Sequence, residues 1–271
     1  MIAIPYRLIF IFLISFETFF YLTLSDPKKI PITDVPWTVT VSIGKRICGG
    51  SILRNTFVVT AAQCVYNISW STIKIHYGSS HVSTEGTYVG VRNVSFLRYR
   101  PRTMQNNIAL LETDEPMKLD MKKSKPIDLP RVVYDPPPNS TVLVSGWGVP
   151  FAIEFKYTND LYALNFTVAN RSYCRNLYKK IKRAKYITEE VFCAGGPQFG
   201  EACLDPGDEG DPAVQKNESG VQVLAGVATY PPWYPWETRD HPNIFTRVGS
   251  FVEWLIDVMD KRWLQTKSKG K

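Results

Sequence analysis

Three short stretches hold the side chains that could do chemistry. Residues 201–212 read Glu201-Ala-Cys203-Leu-Asp205-Pro206-Gly207-Asp208-Glu209-Gly210-Asp211-Pro212, a glycine-punctuated loop carrying carboxylates and a thiol. Residues 57–64 read Phe57-Val-Val-Thr-Ala-Ala-Gln63-Cys64, and residues 104–111 read Met104-Gln-Asn-Asn107-Ile-Ala-Leu-Leu111. A glutamine amide has no basic lone pair near neutral pH, so Gln63 cannot take a proton from a nucleophile as an imidazole does. The three histidines, His76, His81 and His241, fall at no metal-ligand spacing, and the sequence calls for no metal and no cofactor.

Motif by motif, these stretches resemble the trypsin-like serine proteases. The family's nucleophile loop reads Cys-x-Gly-Asp-Ser-Gly-Gly-Pro; here Gly207, Asp208, Gly210 and Pro212 stand in place and Glu209 takes the position of the serine. Cys48-Gly-Gly-Ser-Ile-Leu and residues 57–64 match the family's Cys-Gly-Gly-Ser-Leu-Ile and Leu-Thr-Ala-Ala-His-Cys, with Gln63 at the histidine. Residues 104–111 resemble Asn-Asp-Ile-Ala-Leu-Leu, with Asn107 at the orienting aspartate. In an active enzyme that last change alone costs about 10⁴ in turnover. The resemblance therefore implies a protease fold without a catalytic residue, its triad positions held by Gln63, Asn107 and Glu209. Amides both donate and accept, so the three replacements are expected to satisfy one another in a hydrogen-bonded cluster.

The substrate-pocket positions carried over from the family are Glu201, Thr229, Tyr230, Pro231 and Asn243. In the family the segment matching Thr229-Tyr230-Pro231 offers a backbone N–H to the substrate, and proline has none to give. Asn243, in Pro242-Asn-Ile-Phe-Thr, replaces a glycine in the pocket wall and is expected to fill space that the substrate residue needs. Two extra residues between Cys203 and Gly207 reshape the rim. Glu201 reads either as the base of the pocket, favouring basic partners, or as an exposed loop carboxylate, and the second reading is preferred.

The elements that must position these residues are strands. Val39 and Val41 after Pro36-Trp37, Ile73-Lys-Ile-His-Tyr and Thr87-Tyr-Val-Gly-Val alternate as half-buried strands do. The resemblance, which covers roughly residues 36–260, implies an all-β fold of two six-stranded antiparallel barrels with a C-terminal helix. The inter-barrel connection falls at Leu129-Pro130 and Asp135–Pro138, and a helix is expected over Asn170–Tyr186. The apolar residues of Phe251–Met259 fall at helical spacing and read as core. By position in the family, Cys48 pairs with Cys64 and Cys174 with Cys193. Cys203, fifth of an odd set, is left over as a buried thiol or half of an intermolecular disulfide.

Composition sets the compartment and the charge. At 271 residues and 44% hydrophobic, the chain is long enough to bury large cores. Residues 1–25 carry Arg7, the apolar runs Leu8–Phe16 and Phe19–Leu22, and small residues at Thr23-Leu-Ser25, the pattern of a secretory signal. An uncleaved anchor is the competing reading, disfavoured by Glu17 and by a run shorter than the roughly 20 apolar residues of a span. Residues 26–271 then form a single trypsin-like domain. Six sequons, at Asn67, Asn93, Asn139, Asn165, Asn170 and Asn217, suit a secreted glycoprotein. The net charge of +7 concentrates at Arg171, Arg175, Lys179, Lys180, Lys182, Arg183 and Lys185, either a solvated helix face or an anion-binding one. A secreted glycoprotein is not expected to meet nucleic acid, nor this one a membrane after signal cleavage.

The family's Ile-Val-Gly-Gly, exposed by an activating cut, has no counterpart here. The mature chain is expected to begin near Asp26 uncut, so that Asp208 must find a partner other than a freed amino terminus or leave its loop mobile. Met104-Gln-Asn-Asn107, Tyr134-Asp-Pro and Gly207-Asp-Glu-Gly-Asp211-Pro-Ala-Val narrow the resemblance to the inactivated serine-protease paralogues of scabies mites, relatives of the group 3 mite allergens. That likeness implies a secreted pseudoprotease that binds host proteins and interferes with host defence, with complement components among the partners. The alternatives are residual serine-type endopeptidase activity, a decoy for protease inhibitors, and an antigenic or storage role.

Overall fold

The structure, a computed structural model, describes residues 28–148, 159–204, 207–229 and 240–269, with side chains up to residue 262. The expected signal at residues 1–25, and Tyr230 and Pro231, lie outside the described residues. Within them the chain forms two closed six-stranded antiparallel barrels followed by a long helix, the chymotrypsin-like arrangement.

The first barrel is built from β2 (Thr38–Ile43), β3 (Arg46–Arg54), β4 (Phe57–Thr60), β5 (Ile73–Tyr77), β6 (Thr87–Phe96) and β7 (Ala109–Thr113), closed in the order β2-β3-β4-β7-β6-β5. Strand alternation sends Val39, Val41, Ile52, Val58, Ile75 and Leu111 inward, all buried. Register shifts in β3 opposite β4 and in β6 opposite β7 bend the strands so that the sheet closes on itself. The second barrel takes β8 (Thr141–Gly146), β9 (Tyr162–Ala169), β10 (Val191–Ala194), β11 (Pro212–Lys216), β12 (Gln222–Thr229) and β13 (Asn243–Arg247), closed by the β8–β9 pairing. Its interior is a cluster around Val142, Phe166, Phe192 and Phe245, with the last two rings stacked 5.2 Å apart. The short β1 (Lys28–Lys29) adds to the edge at β9, where Lys29 reaches Asp160 at 2.9 Å.

The barrels share one apolar cluster. Trp147, Leu161, Val214, Leu224 and Val227 of the second half join Val39, Ile52 and Leu111 of the first, and α3 (Val252–Lys269) seals it with Leu255 and Met259. That helix returns to the first barrel, where Arg54 meets Asp260 at 2.8 Å. The expected helix over Asn170–Tyr186 is shorter: α2 spans Arg171–Lys180, and a separate 3-10 turn covers Ala184–Tyr186. Lys182 adopts φ 59, in the left-handed region, which no α-helix can continue through. Disulfides join Cys48 to Cys64 and Cys174 to Cys193; Cys203, partly buried, is in neither. Each ring constrains the unfolded chain by about 3 kcal/mol.

Candidate functional site

The degenerate triad positions sit where the two barrels meet. β4 runs directly into the single turn α1 (Ala62–Val65), which carries Gln63 and is tied to β3 by the Cys48–Cys64 bond. Asn107 precedes β7 and is 1% exposed. The two amides form a reciprocal ring: Gln63 N–H donates to Asn107 Oδ1 at 2.8 Å, and Asn107 Nδ2 donates to Gln63 Oε1 at 2.6 Å. Because the backbone N–H fixes which end of Asn107 is the oxygen, the ring also fixes Gln63, whose Nε2 end faces away from Asn107. That end carries only donors and cannot receive a proton. The same Asn107 Nδ2 lies 3.3 Å from Thr229 Oγ1, which meets Thr246 Oγ1 at 3.1 Å, and Thr246 Oγ1 donates back to Asn107 O at 2.9 Å. A closed thread of neutral groups thus links the first barrel to β12 and β13.

Glu209 does not join this thread. Its carboxylate turns back on its own loop, where Oε2 accepts from Gly207 N at 2.8 Å and Oε1 meets the Arg46 guanidinium at 3.3 Å. Its backbone oxygen accepts from Gly49 N at 2.8 Å. Among the described residues no hydrogen bond joins Glu209 to Gln63 or Asn107, so the expected three-way cluster resolves into an amide ring and a separate carboxylate clamp. The reason is electrostatic: a carboxylate 8% exposed gains more from a guanidinium and a fixed amide dipole than from a neutral side-chain amide. The clamp has a chemical consequence. In acyl transfer by this motif, the amide two residues before the nucleophile helps hold the developing oxyanion. Here Gly207 N already holds a carboxylate, whose charge would repel that oxyanion.

Of the pocket positions, Glu201, Thr229 and Asn243 are described. Asn243, 8% exposed, accepts from Leu204 N at 2.7 Å through Oδ1 and donates to Ala202 O at 3.3 Å through Nδ2, cross-linking β13 to the segment before the nucleophile loop. Glu201 is not the exposed loop carboxylate expected. It is half-buried and grips β9, accepting from Thr167 N at 2.8 Å and from Thr167 Oγ1 at 2.7 Å. Thr229 is buried under the amide thread.

Arg46, Thr167 and Thr246 are the functional contacts that motif reading missed. Arg46 lies two residues before Cys48, hence on the same strand face, which was the available signal. The sequons divide by conformation. Asn67 and Asn139 sit exposed in left-handed turns, Asn165 is exposed on β9, and Asn93 is half-buried on β6. Asn170 caps α2 by accepting from Ser172 N and Tyr173 N, and Asn217 accepts from Ser219 N and Val221 N in a turn. In the basic stretch Arg171 pairs with Asp135 at 2.6 Å and Glu189 at 3.0 Å, while Lys179, Lys180, Lys182 and Lys185 are exposed. Among the described residues no three His, Cys, Asp or Glu side chains are grouped as a metal ion would need, and no helix is long and apolar enough to cross a membrane.

A sequence-family model described as Trypsin matches residues 27–255. The chain is 28% identical to Trypsin Blo t 3 of Blomia tropicalis over 82% of its own length and 80% of that protein's. It is 31% identical to a trypsin of Phaedon cochleariae, covering 83% of each. Among solved structures it is similar to the scabies mite inactivated protease paralogue S-D1, with a TM-score of 0.81 and 46% identity over 87% of this chain and 97% of that one. Paralogue S-I1 gives a TM-score of 0.75 and 39% identity over 87% and 99%.

Proposed function

The chain belongs to the trypsin family, and from that premise we propose that it is a secreted member without proteolytic activity, which works by binding other proteins. The observation that carries the inactive reading is the Glu209 carboxylate seated on Gly207 N, with a donor-only Gln63 end in place of a base. A nucleophile, a base and an oxyanion site are the three things acyl transfer needs, and the residues at those positions offer none of them. The likeness to paralogues named as inactivated supports the same reading. Secretion rests on the signal-like residues 1–25 and the six sequons. The binding role, directed at host defence proteins with complement components among them, rests on the likeness to the scabies mite group.

Two measurements test the reading. A fluorophosphonate probe for activated serines is expected to leave the purified protein unlabelled; stoichiometric labelling would mean a residual hydrolase. The immobilised chain, incubated with host serum, is expected to retain complement components. Retention of protease inhibitors alone would instead favour a decoy, a role the Asn243 cross-link opposes because such inhibitors insert a side chain into the pocket.

A further inference from the structure

Asp211 stands where the family motif has its second glycine, and no role in the site above accounts for it. The side chain is 2% exposed, and its Oδ1 has no hydrogen-bond partner among the described residues. The carboxyl is wedged between two strands: a Cβ on Gly49 of β3 would lie 1.8 Å from Oδ1, and one on Gly146 of β8 would lie 1.8 Å from Oδ2. Only glycine at both places leaves room. Asp208 is wedged in the same way, with Oδ1 1.7 Å from where a Cβ on Gly148 would stand. The two carboxyls lie within hydrogen-bonding reach of each other. Two carboxylates cannot make a hydrogen bond, since neither has a proton to donate.

We propose that Asp208 and Asp211 share one proton, Asp211 as the acid that donates and Asp208 as the carboxylate that accepts, and that this pair is an internal latch holding the nucleophile loop. Three features fix the roles. A charged Asp211 would leave a buried oxygen with no donor, at a cost of several kcal/mol, whereas a neutral acid leaves only a weak acceptor idle. The segments against the pair are β3 at Gly49, β8 with Trp147 and Gly148 after it, and β12 at Val227–Thr229, and none of them brings a charge. Among the described residues the charged groups nearby are Asp208, Glu209 and the Arg46 that faces Glu209, so the nearest described charges to Asp211 are negative. Burial first, then the charges of Asp208 and Glu209, push the Asp211 carboxyl well above the usual carboxylate range. The backbone closes the latch: Asp211 N donates to Asp208 O at 3.0 Å, and Ala228 N donates to Asp211 O at 2.9 Å. The loop is thereby held by a proton, which gives Asp208 a donor that no chain cleavage has to supply.

The sign of the pH dependence follows. A carboxyl whose pKa is raised by folding contributes stability that is fully present below its unfolded value and lost as pH rises through the folded one. Within that window the folding equilibrium should weaken by up to about tenfold per pH unit. Asp211→Asn keeps a donor that does not titrate, so its unfolding midpoint in urea should depend on pH less steeply than that of the wild type between about pH 5 and 8. Titrations common to both proteins cancel in that difference. Parallel profiles for the two proteins would overturn the proposal. Infrared spectra of the wild-type protein carrying isotope-labelled aspartate decide the matter even if the variant fails to fold. A carboxylic-acid carbonyl band should persist at about pH 6, well above the ordinary aspartate pKa. In Asp208→Ala the band should move to higher frequency, because the acceptor is gone. Absence of the band in the folded wild type, or an unmoved band in Asp208→Ala, would mean that no proton is shared.

Discussion

Gln63, Asn107 and Glu209 are each one atom or one group away from a working residue, yet their hydrogen bonds are not those of a triad awaiting repair. The amide ring holds Gln63 by two bonds, and Glu209 belongs to Arg46 and Gly207. Reverting all three, Gln63→His, Asn107→Asp and Glu209→Ser, releases the Gly207 amide and supplies a nucleophile and a base. It leaves the Asn243 cross-link and the lengthened loop before Gly207 untouched. Loss of such a triad costs about 10⁶ in turnover, and binding must work for the remainder to matter. The triple variant is therefore expected to react slowly with a small phosphonate probe and to cut no peptide detectably. Peptide turnover within about tenfold of the typical ~10 per second would show that the pocket is open after all. The identity of these positions was legible in the sequence because the flanking motifs index them. Where Glu209 and Glu201 would point was not, since each carboxylate follows a partner, Arg46 or Thr167, that is distant in the chain and belongs to no motif.

At the scale of elements, the barrels were legible because strand alternation and the cysteine-flanked motifs repeat the family's order. The end of α2 was not, because the basic run through Lys185 keeps helical composition while Lys182 turns left-handed. The start of α2 makes a separable prediction. Asn170 is both an N-cap and a sequon, accepting from Ser172 N at 2.9 Å and Tyr173 N at 3.2 Å. Asn170→Ala should lose about 1 kcal/mol of stability in urea unfolding, and Asn170→Asp, which also removes the sequon but keeps an acceptor, should lose much less. Equal losses in the two variants would assign the effect to the glycan or to packing and not to the cap.

Over the whole molecule, stability should pass through a maximum with pH. Asp211 erodes it as pH rises from the ordinary aspartate range, for the reason given above. On the acid side His241 works in the opposite sense: burial lowers its pKa below 6.5, so the fold favours the neutral ring. Its contribution is present above the unfolded value and lost as pH falls through the folded one. Further down, Asp120 is held at about 2, chiefly by the Lys122 amide, and withdraws its share only in stronger acid. Asp211 acts alike on the wild type and on His241→Gln, so the difference between their melting temperatures isolates the histidine. The wild type should lose ground to the variant as pH falls below about 6.5. Parallel pH profiles of melting temperature for the wild type and His241→Gln below about pH 6.5 would contradict the assignment of His241.

The bond from Asn243 to the backbone at Leu204 and Ala202 also bears on how the protein can be handled. Resins carrying an aryl amidine capture active trypsins by inserting the flat cation into the specificity pocket, and here the Asn243 amide is already tied across to the backbone of Ala202 and Leu204. In an extract that contains working relatives of the same size and charge, the chain should therefore run through an amidine column while the relatives stay behind. Asn243→Gly, which removes the bridge, is the change that should first make it linger.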